Sequence, residues 1–209
     1  IYSSCLKFMF DFIYRNYTFF QYYRTCLLLN FVQKIKRNNS TKTKNMALVG
    51  QNFPDIDVEA INEMGDKINV NIFKKAKEEK KKILLFWYPK DFTFVCPTEL
   101  HSFQENLNEF ENRNTIVIGA SCDSAEVHFA WLNTSKDNGG IEGVSYDLIA
   151  DTNRNLSSTL NILDGEIPNL DNPNYIKGDN VSYRATYLID EDGKIFHEGI
   201  NHMPIGRNV

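Results

Sequence analysis

The chain of 209 residues is long enough for one domain with a sizeable core and a short extension. Residues 1–45 hold eight Lys or Arg against the single acid Asp11, a net charge of +7, so residues 46–209 carry −11 because the whole chain carries −4. The acidic domain argues against nucleic acid as a partner, and no uncharged run in residues 1–45 exceeds nine residues, which excludes a membrane-spanning helix of about 20 residues there.

Residues 1–45 are basic, poor in acids and crowded with Phe and Tyr, a bias typical of an organellar presequence. We predict a disordered leader that ends near Met46 and directs the protein to the mitochondrion, with a plastid-type organelle or the cytoplasm as alternatives. Translated non-coding sequence ahead of a start at Met46, or a lineage-specific tail, would have the same composition. The domain is therefore assigned to residues 46–209.

The first half of the domain contains a charge run, an apolar run and a periodic segment. Residues 74–82 are nearly all charged and predict a solvated helix or loop. Residues 82–88 (KILLFWY) are apolar and rich in β-formers, which predicts a buried central strand. Residues 96–113 predict an amphipathic helix, because their apolar residues are spaced by three and four: Leu100, Phe103, Leu107 and Phe110.

In the second half of the domain, predicted strands alternate with a predicted helix. Further strands are predicted at 115–120, 145–150 and 185–190, with a hairpin partner at 194–199 and a helix at 124–133 that carries Trp131. Residues 164–182, between Leu163 and Tyr183, are rich in Asp, Asn, Gly and Pro and predict an exposed insertion. Strands that alternate with helices indicate an α/β layer architecture.

Cys96 occupies the junction between the predicted central strand and the helix that follows it. Pro97 is tolerated in a first helical turn, and Glu99 is the acidic type favoured there. The start of a helix favours an anion, and such sites lower a thiol pKa from about 8.5 to roughly 3.5–7.5.

A Cys/His hydrolase is disfavoured, because His101 lies five positions along the helix and faces away from the sulfur. Cys122 is interpreted as a buried structural thiol, and the His and Cys spacings predict no metal site.

Several sequence blocks resemble one enzyme family. Residues 89–96 match the pattern Pro-x-x-x-Thr-x-x-Cys, and DFTFVCPTEL (91–100) looks like the typical two-cysteine branch of the peroxiredoxins, the AhpC/TSA family. The resemblance continues to the last residue and covers nearly all of residues 46–209 through the blocks HFAWLNT (128–134), YRATYLIDEDG (183–193) and MPIGRNV (203–209). It implies a thioredoxin-like fold in which helices flank a central mixed sheet.

The resemblance also implies site roles. Cys96 would be the peroxidatic nucleophile, and Thr93 would accept from the substrate and donate toward the sulfur or the departing oxygen. Pro89 would screen the pocket from water, and Arg184 would hold the thiolate and align the peroxide. No cofactor or metal is implied.

Glu99 and Arg207 match the ion pair that, in the family, keeps the catalytic guanidinium in orientation without touching substrate. Typical two-cysteine members carry the resolving thiol near the C-terminus. We expect it in a segment beyond Val209, so that the domain is cut short before it.

The resemblance implies a thiol peroxidase for hydrogen peroxide and alkyl hydroperoxides, recycled through a disulfide by thioredoxin or a similar dithiol. A homodimer is expected, with a decamer of assembled dimers as a further form. One alternative is a redox sensor or holdase chaperone that uses the same thiol and oligomer. Another is a thioredoxin-fold interaction module with an inert thiol.

Overall fold

The computed structural model describes residues 47–165 and 178–207, and the predicted leader lies outside these residues. The strands are β1 (Val58–Ile61), β2 (Lys67–Val70), β3 (Lys82–Trp87), β4 (Thr115–Ser121), β5 (Leu148–Ala150), β6 (Arg184–Ile189) and β7 (Ile195–Asn201). The helices are α1 (Ile72–Glu79), α2 (Cys96–Glu105), α3 (Leu107–Glu111), α4 (Ala125–Leu132) and α5 (Asn155–Thr159), with a 3-10 turn at Lys136–Asn138. Helices thus alternate with strands, as the sequence predicts.

The strands form one mixed sheet in the order β2-β1-β5-β4-β3-β6-β7. In its centre, β3 runs parallel to β4 and antiparallel to β6. The register pairs Phe86 with Thr186, so Arg184 at the start of β6 lies beside the carboxyl end of β3. At this end the Ser182 hydroxyl donates to the Tyr88 carbonyl oxygen over 3.0 Å. The topology therefore brings the start of β6 next to the loop that follows β3.

The side chains of β3 alternate between the two faces of the sheet and contribute to a core on each face. Ile83, Leu85 and Trp87 belong to one buried cluster, whereas Leu84 and Phe86 belong to the other. All five side chains are buried. A strand covered on both faces is encoded as an unbroken apolar run, and the predicted central strand is confirmed.

The apolar stripe of α2 packs on the Phe86 face of the sheet. Leu100 and Phe103 are buried there, and the rings of Phe103 and Phe86 stack with their centroids 4.0 Å apart. Burial of one such side chain contributes roughly 1.5–3 kcal/mol to stability. This packing fixes the helix, and with it the position of Cys96 in the first turn.

The predicted single helix over residues 96–113 is instead two helices, α2 and α3, which are separated by Asn106. The Asn106 backbone is not helical (φ −100°, ψ 8°), and its side-chain amide donates to the Ser102 carbonyl oxygen over 2.9 Å. A side chain that competes for a backbone acceptor favours such a break. Phe110 still packs against Phe103, with ring centroids 6.2 Å apart, which explains why the apolar spacing continues across the break.

The predicted strand over residues 145–150 is also too long, since only its last three residues form β5. The Ser145 backbone N–H donates to the Gln104 side chain over 2.9 Å, and the Tyr146 hydroxyl donates to the Leu100 carbonyl oxygen over 2.8 Å. These bonds hold the segment against α2 instead of the sheet. The other predicted strands and the helix at 124–133 are confirmed to within about two residues at their ends.

The base of the predicted insertion lies within the described residues. The Asp164 N–H donates to the Val181 carbonyl oxygen (2.8 Å), and the Asn180 N–H donates to the Asp164 carbonyl oxygen (3.0 Å). Residues 166–177 lie outside the described part, so their exposure stays a prediction. Within residues 47–165 and 178–207, no helix combines the length and the apolar character that crossing a bilayer requires.

Candidate active site

Cys96 is the first residue of α2, and its side chain is only 1% exposed. Val95 precedes it as the N-cap without a side-chain hydrogen bond to the first turn, and Pro97 follows it. No capping side chain therefore bonds to the free N–H groups at the start of the helix. These groups and the positive end of the helix dipole face the space around Cys96. This environment stabilises an anion, and the sulfur of Cys96, as a thiolate, is the group placed to supply it.

A guanidinium group faces the sulfur. Arg184 Nη1 lies 3.5 Å from Cys96 Sγ, and Arg184 is 4% exposed. The Arg184 Nε–H donates to the Met203 carbonyl oxygen over 2.6 Å, which fixes the direction of the guanidinium plane. Because a guanidinium remains charged, this contact places a fixed positive charge beside the sulfur.

Glu99 lies between two guanidinium groups and is 2% exposed. Its Oε2 accepts a close hydrogen bond from Arg184 Nη1. Its Oε1 accepts from the backbone N–H of Arg207 over 2.7 Å and from Arg207 Nε over 3.2 Å. The structure thus brings together the three charged residues that the family resemblance groups, with the carboxylate as the bridge.

The charges of this cluster balance in one ionisation state. Arg184 and Arg207 are cations, Glu99 is an anion, and Cys96 is the fourth member. With a thiolate the sum is zero, whereas a neutral thiol leaves one buried positive charge uncompensated. An uncompensated buried charge is strongly unfavourable, so the cluster is a favourable place for one further negative charge.

Arg207 also ties the end of the described chain to the sheet. Its Nη1 donates to the Ala185 carbonyl oxygen (3.0 Å) and to Thr186 Oγ1 (3.1 Å), and its Nη2 donates to the Trp87 carbonyl oxygen. Its guanidinium lies 5.3 Å from the centroid of the Phe86 ring. These contacts hold Arg207 in place, and through Glu99 they hold Arg184.

The loop between β3 and α2 carries Pro89 and Thr93, both half-buried. The Thr93 hydroxyl donates to the Lys90 carbonyl oxygen over 3.0 Å, so in this structure it does not donate toward the sulfur, as the resemblance implied. Its lone pairs are left to accept a hydrogen bond. Phe92 has a φ of 53°, a left-handed conformation that is strained for an aromatic residue.

A buried polar network behind this loop was missed by the sequence reasoning. His128 Nδ1 lies 2.7 Å from Asp91 Oδ2 and 3.5 Å from the Tyr88 hydroxyl, and His128 Nε2 lies 3.1 Å from the Ile149 carbonyl oxygen. The Asp91 N–H donates to Asp123 Oδ2 over 2.9 Å, so side chain and backbone both anchor the loop. The available signal was a histidine within the apolar segment of α4.

We expect the free energy of unfolding to depend on pH through His128. Burial alone lowers the pKa of this imidazole, but the hydrogen bond and charge of Asp91 outweigh burial, and the pKa lies above the usual 6.5. The resulting stabilisation is fully present below about pH 6.5 and is lost as pH rises through the folded-state pKa. Urea unfolding at pH 6 and pH 9 measures this loss.

The control for this pH dependence is His128→Gln, which keeps a polar side chain but does not titrate. The difference in unfolding free energy between wild type and variant should shrink as pH rises. A difference that stays constant from pH 6 to pH 9 would contradict the assignment.

Cys122 and His101 stand apart from the cluster. Burial raises the pKa of the Cys122 thiol to about 11, and its sulfur lies 3.8 Å from the Ser157 hydroxyl oxygen. His101 Nε2 lies 3.1 Å from the Gly140 carbonyl oxygen and not beside Cys96. Cys122 is therefore a poor nucleophile, and the two residues do not complete a Cys/His hydrolase with Cys96.

We expect Glu99→Gln to lower the free energy of unfolding by about 2–3 kcal/mol, because two buried guanidinium groups lose the carboxylate between them. The matched control is Glu109→Gln, since Glu109 forms an exposed 3.4 Å pair with Arg113. Exposed pairs of this kind contribute roughly 0–1 kcal/mol. Urea unfolding of the reduced proteins measures the loss of unfolding free energy in both variants. Equal losses would show that the Glu99 carboxylate contributes no more to stability than an exposed ion pair does.

Among the described residues, no group of three or more His, Cys, Asp or Glu side chains is arranged to hold a metal ion. The ionisable groups around Cys96 bond to one another and to backbone atoms. What this arrangement offers is a sulfur next to a fixed cation, with hydrogen-bond donors nearby.

Comparison with known proteins places the chain within a family. The AhpC/TSA family profile matches residues 49–198. Alkyl hydroperoxide reductase C of Buchnera aphidicola subsp. Baizongia pistaciae is 40% identical over 164 residues, which are 78% of this chain and 76% of that protein. The chloroplastic 2-Cys peroxiredoxin BAS1 of Spinacia oleracea is 36% identical over 164 residues, and the alignment spans 56% of its length.

A solved structure has a similar fold. The mitochondrial 2-Cys peroxiredoxin of Plasmodium falciparum superposes with a TM-score of 0.66 at 32% identity, covering 77% of this chain and 87% of that one. The predicted α/β fold of thioredoxin-like, peroxiredoxin type is therefore confirmed.

Proposed function

The chain belongs to the AhpC/TSA family, and from that premise we propose that it reduces hydrogen peroxide and organic hydroperoxides to water and alcohols through a sulfenic acid on Cys96. The observation that carries the proposal is the 3.5 Å contact between Arg184 Nη1 and Cys96 Sγ at the first turn of α2. A relative named alkyl hydroperoxide reductase supports the same substrate class. The protein acts as an antioxidant peroxidase in the control of cellular redox balance.

The Cys96 thiolate attacks the terminal oxygen of the peroxide. A sulfur–oxygen bond forms as the oxygen–oxygen bond breaks, so the sulfur is oxidised to sulfenic acid and the peroxide is reduced. The other oxygen leaves as hydroxide or alkoxide and takes a proton from water. Arg184 lies where it stabilises both the thiolate and the negative charge that develops on the leaving oxygen.

The loop residues assist this reaction. Thr93 accepts the hydrogen bond of the peroxide O–H through its lone pairs, because its own proton is directed to the Lys90 carbonyl oxygen. Pro89 excludes water and so strengthens the local electrostatics. Glu99 and Arg207 hold Arg184 in orientation without contacting the peroxide.

The sulfenic acid is returned to the thiol through a disulfide that thioredoxin or a similar dithiol reduces. The test is steady-state consumption of hydrogen peroxide with thioredoxin, its reductase and a nicotinamide reductant. Many turnovers per protein are the expected result. A single stoichiometric oxidation of Cys96 would instead support the redox sensor or holdase that uses the same thiol.

Thiolate absorbance of the reduced protein at 240 nm separates the enzyme from an inert interaction module. Thiolate absorbance at pH 7 that Cys96→Ser removes would support the enzyme. A signal that is absent at pH 7 would favour the inert module.

We expect at least a homodimer in solution. Among the described strands β7 is an edge of the sheet, and its Phe196 and Ile200 are about half exposed (48% and 47%). An unpaired edge with apolar side chains favours pairing with a second copy. Sedimentation velocity would distinguish monomer, dimer and a ring of dimers.

An organellar address is also proposed, with the mitochondrion first. The composition of residues 1–45 and the relatives named chloroplastic and mitochondrial support it. Fusion of residues 1–45 to a fluorescent reporter tests it, and diffuse cytoplasmic fluorescence would argue for the cytoplasm.

A further inference from the structure

Arg184 is directed by a turn that follows β7. Its Nε–H donates to the Met203 carbonyl oxygen over 2.6 Å. The Ile205 N–H donates to the His202 carbonyl oxygen over 2.9 Å, and this bond closes a turn over residues 202–205 around Met203. The ladder of β6 and β7 ends before the turn, with the pair of Arg184 and Asn201. Strand pairing alone therefore does not set the position of the Met203 carbonyl oxygen.

The 202–205 turn is supported on both sides. Beyond its far end, Arg207 ties the chain to the Trp87 carbonyl oxygen and to the Glu99 carboxylate. Its near end is His202, whose side chain is exposed. What supports His202 therefore decides how well the near end of the turn is placed.

The imidazole of His202 packs against the ring of Tyr183. Arg184 pairs with Asn201, so Tyr183 and His202 face each other one position further along the hairpin. Their ring centroids are 5.8 Å apart, and the ring planes are inclined by 37°. Cross-strand aromatic pairs of this kind stabilise the end of an antiparallel ladder.

The ring of Tyr183 is itself held at both ends. Its backbone N–H donates to the Ile162 carbonyl oxygen over 2.8 Å, and its hydroxyl donates to Asp164 Oδ1 over 2.9 Å. Asp164 is fixed in turn, because its N–H donates to the Val181 carbonyl oxygen over 2.8 Å. Tyr183 is therefore a rigid support on which the exposed side chain of His202 rests.

These contacts lead from Tyr183 to the guanidinium that faces the sulfur. Tyr183 supports His202, which begins the turn, and the Met203 carbonyl oxygen in that turn directs Arg184. A guanidinium turned in another direction would remain charged but would no longer be aligned with the sulfur and the leaving oxygen. We propose that Tyr183 and His202 are positioning residues for the peroxidase reaction, which act through Arg184 without contacting the peroxide.

The inference rests on the proposed peroxidase function, and His202→Ala tests it. The measurement is the rate constant for oxidation of Cys96 by hydrogen peroxide in a single turnover, so no recycling partner is needed. His202→Ala should lower this rate constant about tenfold, which is less than the roughly 10²-fold loss that a misplacement of about 1 Å can cause.

Two further variants test whether the ring contact itself is responsible. His202→Phe keeps a ring against Tyr183 and should restore the rate constant to within about twofold of wild type. Tyr183→Leu removes the other ring and should lower the rate constant as His202→Ala does. Urea unfolding of each variant shows whether the fold is retained.

A double-mutant cycle with Arg184→Lys separates positioning from a general loss of structure. Lysine has no Nε–H, so the Met203 carbonyl oxygen no longer directs the side chain at position 184. Adding His202→Ala to Arg184→Lys should therefore lower the rate constant by less than about twofold, because changes that act through one contact are not additive. His197→Ala is the matched control with an unchanged rate, since it removes another exposed imidazole from β7.

A wild-type rate in His202→Ala would overturn the inference. An equal loss from His202→Ala in the wild-type and Arg184→Lys backgrounds would overturn it as well, and so would a failure of His202→Phe to restore the rate. A wild-type protein that hydrogen peroxide does not oxidise refutes the proposed function itself, and that outcome is seen before any variant is made.

Discussion

Replacing Cys96 by serine is expected to abolish peroxide reduction while the protein remains folded. A serine hydroxyl does not ionise near neutral pH, so the peroxide would meet no soft nucleophile beside Arg184. We expect peroxide consumption to fall roughly 10⁴-fold or more, to the rate of the reductant alone. The side chain is small and buried, and a serine hydroxyl fits the same space, so the variant should remain folded.

Cys122→Ser is the matched control, because it removes a second buried thiol at a distance from the charged cluster. The sulfur of Cys122 contacts the Ser157 hydroxyl, and burial raises its pKa to about 11. This variant should retain peroxide reduction. Retained turnover in Cys96→Ser, or its loss in Cys122→Ser, would move the nucleophile away from Cys96.

Replacing Arg184 by lysine should slow the oxidation of Cys96 by about 10²–10³-fold, the loss typical of removing one preorganised donor at a developing charge. Lysine keeps the charge but lacks the fork that reaches the sulfur, the Glu99 carboxylate and the Met203 carbonyl oxygen together. We therefore expect a large fall in the rate of Cys96 oxidation with little change in the free energy of unfolding. Stopped-flow oxidation by hydrogen peroxide measures the rate.

Arg113→Lys is the control for a guanidinium in an exposed ion pair, and its rate should equal that of wild type. Urea unfolding of Arg184→Lys separates a local effect on the site from a loss of the fold. Oxidation of Arg184→Lys at the wild-type rate would show that the 3.5 Å contact with the sulfur does not orient the reaction.

Glu99→Gln and Arg184→Lys change the same cluster in different ways. Glu99→Gln removes a negative charge, whereas Arg184→Lys keeps the positive charge but removes the forked guanidinium. Glu99→Gln leaves both guanidinium groups without the carboxylate between them, so its main effect should be a lower free energy of unfolding. Arg184→Lys leaves the summed charge of the cluster unchanged, so its main effect should be a slower oxidation of Cys96 by peroxide. Together, the two variants separate what the bridge contributes to folding from what the fork contributes to chemistry.

The elements that the sequence predicted well are those whose environment is uniform along the segment. β3 is buried on both faces and therefore consists of consecutive apolar residues. The break at Asn106 was missed because the apolar spacing continues through Phe110, and only the contact of the Asn106 amide with the Ser102 carbonyl oxygen reveals it. The β1–β2 hairpin was missed as well, because strands of four residues give little periodicity.

The buried network behind the loop between β3 and α2 was missed for a different reason. Asp91 and His128 are separated by 37 residues, and neither lies in a spacing that identifies a pair. Their contact at 2.7 Å depends on how α4 packs against the sheet, and no local pattern encodes that packing.

The strand, the loop and the proline-first helix around Cys96 are contiguous, so the local pattern alone was enough to propose Cys96 as the nucleophile and to predict its setting. The sequence also identified the charged partners, but only through resemblance to a family. The tertiary structure decided how they meet: Arg184 is 88 positions from Cys96, and Arg207 is 108 positions from Glu99. The physical reason is that the antiparallel register of β3 and β6 and the burial of four ionisable groups in one cluster are properties of the folded chain, and only there do the charges offset one another.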